Sequence, residues 1–402
     1  MSIFIALVGL GLLILIHEAG HFFVSLAVGL RPRKFYVGFP PPLVRIKKKG
    51  IEFGIGMIPL GGFVSIPGMH RPIPHDAERR FSPAVSEAPA LGGPVDRVKR
   101  ALEAGDVDIG LAALDEFDQA MREQKLSPGV AAVAAKGLTE LRDSLGPEAY
   151  WKAPTWKRLA VIAAGPVANI VLAIALFTFL FTRVGGDPSQ TVASVTRDSP
   201  AQKAGLMAGD RVVEIDGEPV SGKELGERIV RSQGRPLLVT VVRGGEEVTL
   251  GPVSPARTED GYRLGIVREG MGLPFVEAAG RSFEVVGVAA KEIVKGLGRL
   301  VTSEGRKGVA SPIGITHVSS DAVEQGTDRY IWVLGLISLS LGLLNLLPLL
   351  PLDGGHILFA ILEGARGRVI RREIYERVSF VGLAIVLLLF FVGLTNDIGR
   401  LS

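Results

Sequence analysis

Four long apolar runs constrain the fold of this chain more than any other feature of its sequence. They extend from about Ile3 to Leu30, Leu159 to Thr182, Ile331 to Leu350 and Val378 to Leu394. An α-helix needs about 20 predominantly apolar residues to cross the hydrocarbon core of a bilayer. The mean hydropathy of +0.34 over 402 residues also exceeds that of a purely soluble protein. We therefore predict an α-helical polytopic membrane protein with four transmembrane helices.

The first apolar run contains His17, Glu18 and His21. Residues four apart lie on one face of a helix, so the two histidines can bind one metal ion. The glutamate beside them can accept a proton from a water at the metal's open position. Ionisable groups at bilayer depth are costly unless paired or metal-bound, which favours a functional site over chance. A cleaved signal peptide is disfavoured, because no Lys or Arg precedes the motif and the apolar run continues through it.

A further metal ligand has to come from elsewhere in the chain. There are no cysteines, so zinc would be held by histidine and carboxylate side chains. Asp353 follows Pro348 and Pro351 and precedes two glycines, at a point where a helix must end. We predict that Asp353 is the third protein ligand of a site that leaves one position for water. Two alternatives stay open: Asp353 only caps the following helix, or His356 is the ligand.

The basic residues indicate the topology. The net charge of +4 is modest, and its basic residues cluster in three loops beside the apolar runs, which argues against nucleic-acid binding. The positive-inside rule places these loops in the cytoplasm, so both chain ends and residues 183–329 lie on the opposite side. The clusters consist of Arg31, Arg33, Lys34, Arg45, Lys47, Lys48 and Lys49; of Lys152, Lys157 and Arg158; and of Arg366, Arg368, Arg371 and Arg372.

The segments between the apolar runs differ in character. Residues 51–66 are apolar and interrupted by glycines, which predicts two short strands around a Pro/Gly bend. Residues 190–268 alternate strand and helix patterns, and their Ala-Gly-Leu-Met-Ala-Gly-Asp stretch resembles the PDZ domains of bacterial proteases. Residues 278–325 include an amphipathic pattern from Arg281 to Val301, typical of a helix on a membrane surface or of a packed linker helix.

These patterns predict six segments. The segment 68–150 begins as a Pro-rich loop and continues with helical patterns from Val95 to Leu145, which indicates a cytoplasmic helical insertion. His70 and His75 fall in its loop, where we expect solvated side chains rather than ligands. The predicted segments are 1–67 (first span, metal motif and hairpin), 68–150 (insertion), 151–183 (second span), 190–268 (PDZ-like domain), 278–325 (membrane-surface segment) and 329–402 (third and fourth spans).

Several motifs together resemble one family. They are His-Glu-Ala-Gly-His at 17–21, Gly-Pro-Val-Ala-Asn at 165–169, the stretch 345–353 with its Leu-Asp-Gly, and Asn396-Asp397. The chain resembles the bacterial site-2 proteases, which are intramembrane zinc metalloproteases, and is most similar to the regulator-of-sigma-E protease branch. It departs from the branch in its segment 68–150, in its single PDZ-like unit and in a Ser-Pro turn at 311–312.

The resemblance implies a set of roles. His17, His21 and Asp353 would bind Zn²⁺, Glu18 would act as the catalytic base, and Asn345 would position the substrate or stabilise the oxyanion. It also implies a re-entrant β-hairpin beside the zinc, a bacterial cytoplasmic (inner) membrane location and an extracytoplasmic PDZ-like domain. The substrates would be single-span membrane proteins, such as an anti-sigma factor or a remnant signal peptide.

Two other functions compete with a protease. A non-catalytic membrane adaptor would recruit partners through the PDZ-like domain, which can capture a peptide by strand addition. A zinc carrier would need polar residues along several spans, and the spans show almost none beyond the one motif. The sequence therefore favours an intramembrane zinc metalloendopeptidase that works in the lipid bilayer on protein substrates.

Overall fold

The structure is a computed structural model that describes residues 1–186, 188–258, 261–300 and 302–401. It is mostly helical and also contains β-sheets. The helices are α1 Ser2–Ala27, α2 Pro74–Glu87, α3 Gly92–Ala104, α4 Val107–Arg122, α5 Pro128–Leu145, α6 Thr155–Val184, α7 Pro200–Lys203, α8 Gly222–Arg231, α9 Phe275–Arg299, α10 Ser303–Arg306, α11 Pro312–Gln325, α12 Thr327–Asn345, α13 Asp353–Arg366 and α14 Arg372–Leu401. The strands are β1 Lys34–Lys48, β2 Ile51–Ser65, β3 Pro188–Val195, β4 Arg211–Ile215, β5 Glu218–Pro219, β6 Leu237–Arg243, β7 Glu246–Val253, β8 Ala256–Thr258, β9 Gly261–Arg263 and β10 Ile266–Gly270.

Within the described residues, four helices are long and apolar enough to cross a membrane: α1, α6, α12 and α14. Each carries one of the four apolar runs. The third run was predicted to continue to Leu350, but α12 ends at Asn345. The prolines at 348 and 351 explain the early end, because proline lacks the N–H that a helix needs and restricts the residue before it.

The described chain divides into two compact units. The first contains Met1–Leu172, Ala290–Glu324 and Leu336–Ser402, and the second contains Ala173–Ala289 and Gln325–Gly335.

In the first unit, helices approach each other closely through glycines. A Cβ on Gly20 of α1 would lie 3.0 Å from the Cβ of Ala168 and would collide with the Ala164 carbonyl of α6. On α12, a Cβ on Gly342 would lie 2.8 Å from the carbonyl oxygen of Pro166. Small residues allow such contacts between membrane helices, where dispersion forces and hydrogen bonds replace the hydrophobic drive. The glycines therefore bring α1 and α12 against the same stretch of α6.

The segment after α1 forms a β-sheet from β1 and β2. The turn between these strands uses Lys49 and Gly50, both with positive φ (50° and 81°). Two parts of β2, residues 52–55 and 62–65, both pair with Lys34–Val37. The sequence prediction placed two strands within 51–66 and missed β1, because the basic residues and prolines of 34–48 hide its alternation.

The residues after this sheet form a small helical cluster. Helices α2 to α5 enclose an apolar core in which the rings of Phe81 and Phe117 lie 4.1 Å apart. The sequence predicted a Pro-rich loop where α2 lies, and that prediction was wrong. Pro74 occupies the first turn of α2, where the absent N–H costs nothing, and the Asp76 carboxylate accepts a hydrogen bond from the Ile73 N–H at 3.0 Å.

The second unit is built on a six-stranded sheet with the order β10-β3-β4-β6-β7, in which β5 pairs with β4. Gly244 and Gly245 form the β6–β7 turn with positive φ. Helix α8 begins with a capping box in which the Ser221 N–H donates to Glu224 at 2.9 Å and the Ser221 hydroxyl accepts from the Glu224 N–H. The amphipathic pattern predicted from Arg281 falls on α9, and its last residue, Val301, lies outside the described residues.

Candidate metal centre

Three side chains that are distant in sequence converge in the first unit. The Nε2 atoms of His17 and His21 lie 3.1 and 3.4 Å from Oδ2 of Asp353, and 3.3 Å from each other. Both histidines are buried, each 8% exposed. Among the described residues, these three form the cluster whose ligand atoms could hold a metal ion.

The chemistry of the three atoms fits a divalent cation. Oδ2 of Asp353 is buried and has no hydrogen-bond donor among the described residues. Zinc binds imidazole nitrogens and carboxylate oxygens at about 2.0–2.2 Å in a tetrahedral arrangement. Two such ligands are then separated by about 3.3 Å, and the three separations found here are 3.1, 3.3 and 3.4 Å. The triangle of donor atoms therefore has the size of one face of a zinc coordination shell.

A backbone carbonyl sets the tautomer of His21. The Nδ1–H of His21 donates to the carbonyl oxygen of Val161 at 2.8 Å, since that oxygen can only accept. In the neutral ring, the proton on Nδ1 leaves Nε2 with a free lone pair directed at Asp353. Hydrogen bonds of this kind orient histidine ligands and raise their basicity.

The side-chain amide of Asn169, on α6, contacts the ring of His17. Its Nδ2 lies 3.3 Å from Nδ1 of His17, while its buried Oδ1 has no partner among the described residues. Oxygen and nitrogen of an amide are assigned from the hydrogen-bond network. Rotating this amide by 180° lets Oδ1 accept from the Nδ1–H of His17, which removes the unsatisfied oxygen and frees Nε2 for a metal. Asn169 was not among the predicted site residues, although a buried amide in an apolar run is itself a signal.

Gly165 leaves room for the two rings. A Cβ at this position would lie 2.9 Å from Cε1 of His17 and 2.7 Å from Cε1 of His21. No residue with a side chain fits there without moving the imidazoles. The Gly-Pro-Val-Ala-Asn motif of the second span thus supplies both the space at Gly165 and the hydrogen bond at Asn169.

A tight turn between α12 and α13 places Asp353. Helix α13 begins at Asp353 with Leu352 in the cap position, and the Oδ2 atom of Asp353 lies toward the histidines. A Cβ on Gly354 would collide with the carbonyl oxygens of Leu346 and Leu347. The two glycines after Asp353 are therefore required by close backbone contacts, and the carboxylate is held at the first turn of α13.

Glu18 lies between the metal cluster and the sheet. It lies close to His21, His17 and Asp353, and the backbone N–H of Val64 is near its carboxylate. A Cβ on Gly62 would lie 2.8 Å from Cγ of Glu18, so the glycine of β2 makes space for this side chain. The glutamate is thus held close to both the ligand cluster and a strand.

Other predicted residues lie differently. The Asn345 side chain donates to the carbonyl of Leu341 at 3.0 Å, and among the described residues it makes no hydrogen bond to the cluster. His356 does not belong to the three-residue cluster, and its ring faces Tyr375 at 6.2 Å.

The two loop histidines have different surroundings. His75 is exposed, as expected. His70 is half-buried, with its ring edge-on to Tyr375 at 4.7 Å, so it is less solvated than expected. Burial, together with the charge of Arg372, lowers the pKa of His70.

Proteins similar to this chain over nearly its whole length are named zinc metalloproteases. The model of the family described as Peptidase family M50 matches residues 5–389. A protein of Geobacillus kaustophilus named zinc metalloprotease RasP is 29% identical, over 99% of this chain and 98% of its own length. A protein of Bacillus subtilis named regulator of sigma-W protease RasP is 27% identical, over 97% of this chain and 96% of its own length. A zinc metalloprotease RasP of Oceanobacillus iheyensis is 29% identical, over 97% of each chain.

Proposed function

The chain belongs to peptidase family M50 and is a zinc metalloprotease, and on that premise we propose that it cleaves a peptide bond in or near the transmembrane segment of a single-span membrane protein. The resemblance to site-2 proteases is confirmed by the family match. The observation that carries the proposal is the convergence of the His17, His21 and Asp353 side chains. Oδ2 of Asp353 lies buried between the two rings and receives no hydrogen bond from any described residue. Two of these residues lie on a helix long and apolar enough to span a membrane.

In the proposed mechanism, His17, His21 and Asp353 would hold the zinc. When bound, zinc supplies Lewis-acid polarisation of the scissile carbonyl and of the attacking water. The Glu18 carboxylate accepts a proton from that water as the oxygen–carbon bond forms, and delivers it to the leaving amide nitrogen as the carbon–nitrogen bond breaks. Val161 keeps the ring proton of His21 on Nδ1, and Asn169, with its amide rotated as described above, does the same for His17.

The β1–β2 sheet suits the handling of an unfolded substrate segment. A substrate helix must open before cleavage, and each backbone group exposed in lipid then needs a new partner. Residues 62–65 pair with 34–37 on one side, and Gly62 contacts Glu18. We infer that an extended substrate segment adds to this sheet and is thereby brought to the catalytic glutamate. Asn345 is proposed to contact the substrate or the oxyanion after its own hydrogen bond to Leu341 is released.

The topology and the substrate class belong to the same proposal. The basic loops support a location in the bacterial cytoplasmic membrane with residues 68–150 inside and 190–268 outside. The α/β unit at 190–268 is proposed to be a PDZ-like filter for substrate ends, and α9 to lie on the membrane surface. The Bacillus subtilis relative is named a regulator of sigma-W protease, which makes an anti-sigma factor a reasonable first substrate to examine.

The decisive experiment compares Glu18→Gln with the wild-type chain. We expect the variant to keep about one zinc per chain and to lose cleavage by roughly 10²–10⁴-fold, because removal of a general base has that effect. Zinc is measured by elemental analysis of the purified protein, and cleavage on single-span proteins that the variant traps in cells. Glu277→Gln, an exposed glutamate on α9, is the matched control and should cleave normally.

The same experiment separates the protease from an adaptor. An adaptor would tolerate Glu18→Gln and lose its function when residues 190–268 are deleted. Normal cleavage by Glu18→Gln would refute the proposed role of this glutamate.

A further inference from the structure

The first unit contains a polar cavity that is separate from the candidate metal centre. None of the three candidate metal ligands lines it. Its volume is about 180 Å³. Four arginines line it, together with aromatic side chains that include Trp151 and Tyr375. The arginines are Arg71, Arg158, Arg371 and Arg372.

Arg158 lines this cavity and pairs with Glu363. Its side chain is 8% exposed, and its Nη1 donates to Oε2 of Glu363 at 2.6 Å. The other oxygen of Glu363 accepts the backbone N–H of Ile370 at 2.9 Å. The Nε–H of Arg158 is buried and has no acceptor among the described residues. A buried charged donor without an acceptor is costly and calls for an explanation, such as a bound ion.

The charge balance of the lining favours an anion. Glu363 is the acidic residue of the lining, and both its oxygens are already engaged. Arg372 is neutralised by Asp76 at 2.7 Å and by Glu376 at 2.9 Å. Arg71 and Arg371 have no carboxylate partner among the described residues. Nη2 of Arg71 donates to the carbonyl oxygen of Gly105 at 2.5 Å, which leaves its charge without a carboxylate partner. Two guanidinium groups without a carboxylate partner, and one N–H without an acceptor among the described residues, therefore remain.

The position of the cavity indicates the kind of anion. Arg158 lies in the first turn of the candidate span α6, and Arg371 immediately precedes the candidate span α14. In a membrane protein, such positions are at the level of the lipid headgroups, where basic pockets and aromatic residues are common. Guanidinium groups match the geometry of phosphate oxygens, and 180 Å³ can accommodate a phosphate group with part of its ester.

We propose that this cavity binds a phosphate group, which is carried by a phospholipid headgroup or by free phosphate. Arg158 Nε, Arg71 and Arg371 are the donors, and Trp151 and Tyr375 form the apolar wall.

The test measures binding to the purified full chain in an uncharged detergent. Trp151 lies in the lining, so its fluorescence, in a Trp156→Phe, Trp332→Phe background, reports occupancy. One arm adds inorganic phosphate and the other adds short-chain phosphatidylglycerol. Arg371→Gln and Arg158→Lys should each weaken binding by about tenfold, since a hydrogen bond to a charged group contributes on that scale. The lysine can still pair with Glu363 but lacks the Nε–H.

Arg368→Gln is the matched control, because it removes the same charge from the same loop without lining the cavity. It should change the affinity less than twofold. Binding in both arms identifies the phosphate group itself as the ligand, and binding only of the phospholipid identifies a headgroup site. The proposal is overturned if neither probe binds, or if Arg368→Gln weakens binding as much as Arg371→Gln. Arg71→Gln provides a further cavity variant if Arg158→Lys does not fold.

Discussion

Two buried carboxylates of this protein are surrounded in opposite ways. In the second unit, Asp210 is 1% exposed, and its two oxygens accept hydrogen bonds from Arg243 at 2.7 and 2.8 Å. The backbone N–H of Met207 adds another at 2.8 Å. In the first unit, Oδ2 of Asp353 is buried against two imidazoles and receives no hydrogen bond from any described residue.

The difference fits a structural role for Asp210 and the proposed metal-ligand role for Asp353. A buried charge is tolerated when donors surround it, as they do around Asp210, and such an arrangement stabilises the fold. Asp353 and the histidine nitrogens are all acceptors, so they oppose one another until a cation lies between them. Proteins keep such unsatisfied clusters where function requires them.

The largest expected effect, on zinc content and cleavage, comes from replacing Asp353, with Asp210 replaced for comparison. Asp353→Ala should reduce the zinc content from about one per chain to near zero and abolish cleavage, because two imidazoles alone hold the metal weakly. Asp210→Ala should lower the stability of the second unit and leave the zinc content unchanged. Elemental analysis and thermal unfolding of both purified variants check this. Equal zinc content in the two variants would contradict the assignment of Asp353.

The next largest effect is a change in zinc affinity when Asn169, whose amide contacts His17, is replaced. Asn169→Ala should weaken zinc binding by about 10–100-fold, because residues that orient a histidine ligand contribute on that scale. Asn169→Asp should restore much of the affinity, since its carboxylate can accept from the His17 Nδ1–H. Competition with a zinc chelator measures both affinities. If alanine and aspartate behave alike, Asn169 has only a packing role.

The smallest effect is a pH dependence in the second unit. The hydrogen bonds from Arg243 hold the pKa of Asp210 below its usual value. A carboxylate with a depressed folded-state pKa stabilises the fold above its unfolded pKa of about 3.9, and this contribution is lost as the pH falls through the folded-state pKa. At pH 7, Asp210→Asn should lower the unfolding midpoint of the second unit by roughly 5 °C.

That difference between wild type and Asp210→Asn should shrink as the pH falls below about 4. Unfolding of the full chain, followed by limited proteolysis of residues 190–268 at each pH, gives the comparison. A difference that stays constant from pH 7 to pH 3 would rule out the linkage.

Much of the site could be predicted because its chemistry is local in sequence. His17, Glu18 and His21 lie within one helical turn, and the apolar run around them makes their function conspicuous. Asp353 stood out because prolines and glycines end the preceding helix there. Asn169 was missed as a site residue because its partner, His17, is 152 positions away in the chain, and no local pattern indicates which buried amide meets which ring.

The secondary structure was likewise predicted where its pattern is local in sequence and missed where it depends on distant partners. The apolar runs predicted the long helices, and the alternating patterns of residues 190–268 predicted strands and helices there. Strand β1 and helix α2 were missed, because prolines and charged residues are typical of loops. Their local sequence does not show the segments with which they pack. Their structure depends on partners: β1 pairs with two parts of β2, and α2 packs its phenylalanine into the core of the insertion.

The amino-acid sequence by itself determined that this protein is a membrane metalloprotease, because hydropathy and ligand spacing are properties of short segments. Only the tertiary structure decided which atoms meet: Asp353 with the two histidines, Asn169 with His17, and Arg158 with Glu363. Those contacts depend on close helix packing through Gly20, Gly165 and Gly342. Such packing follows from the shapes of several helices together, and no single segment contains it.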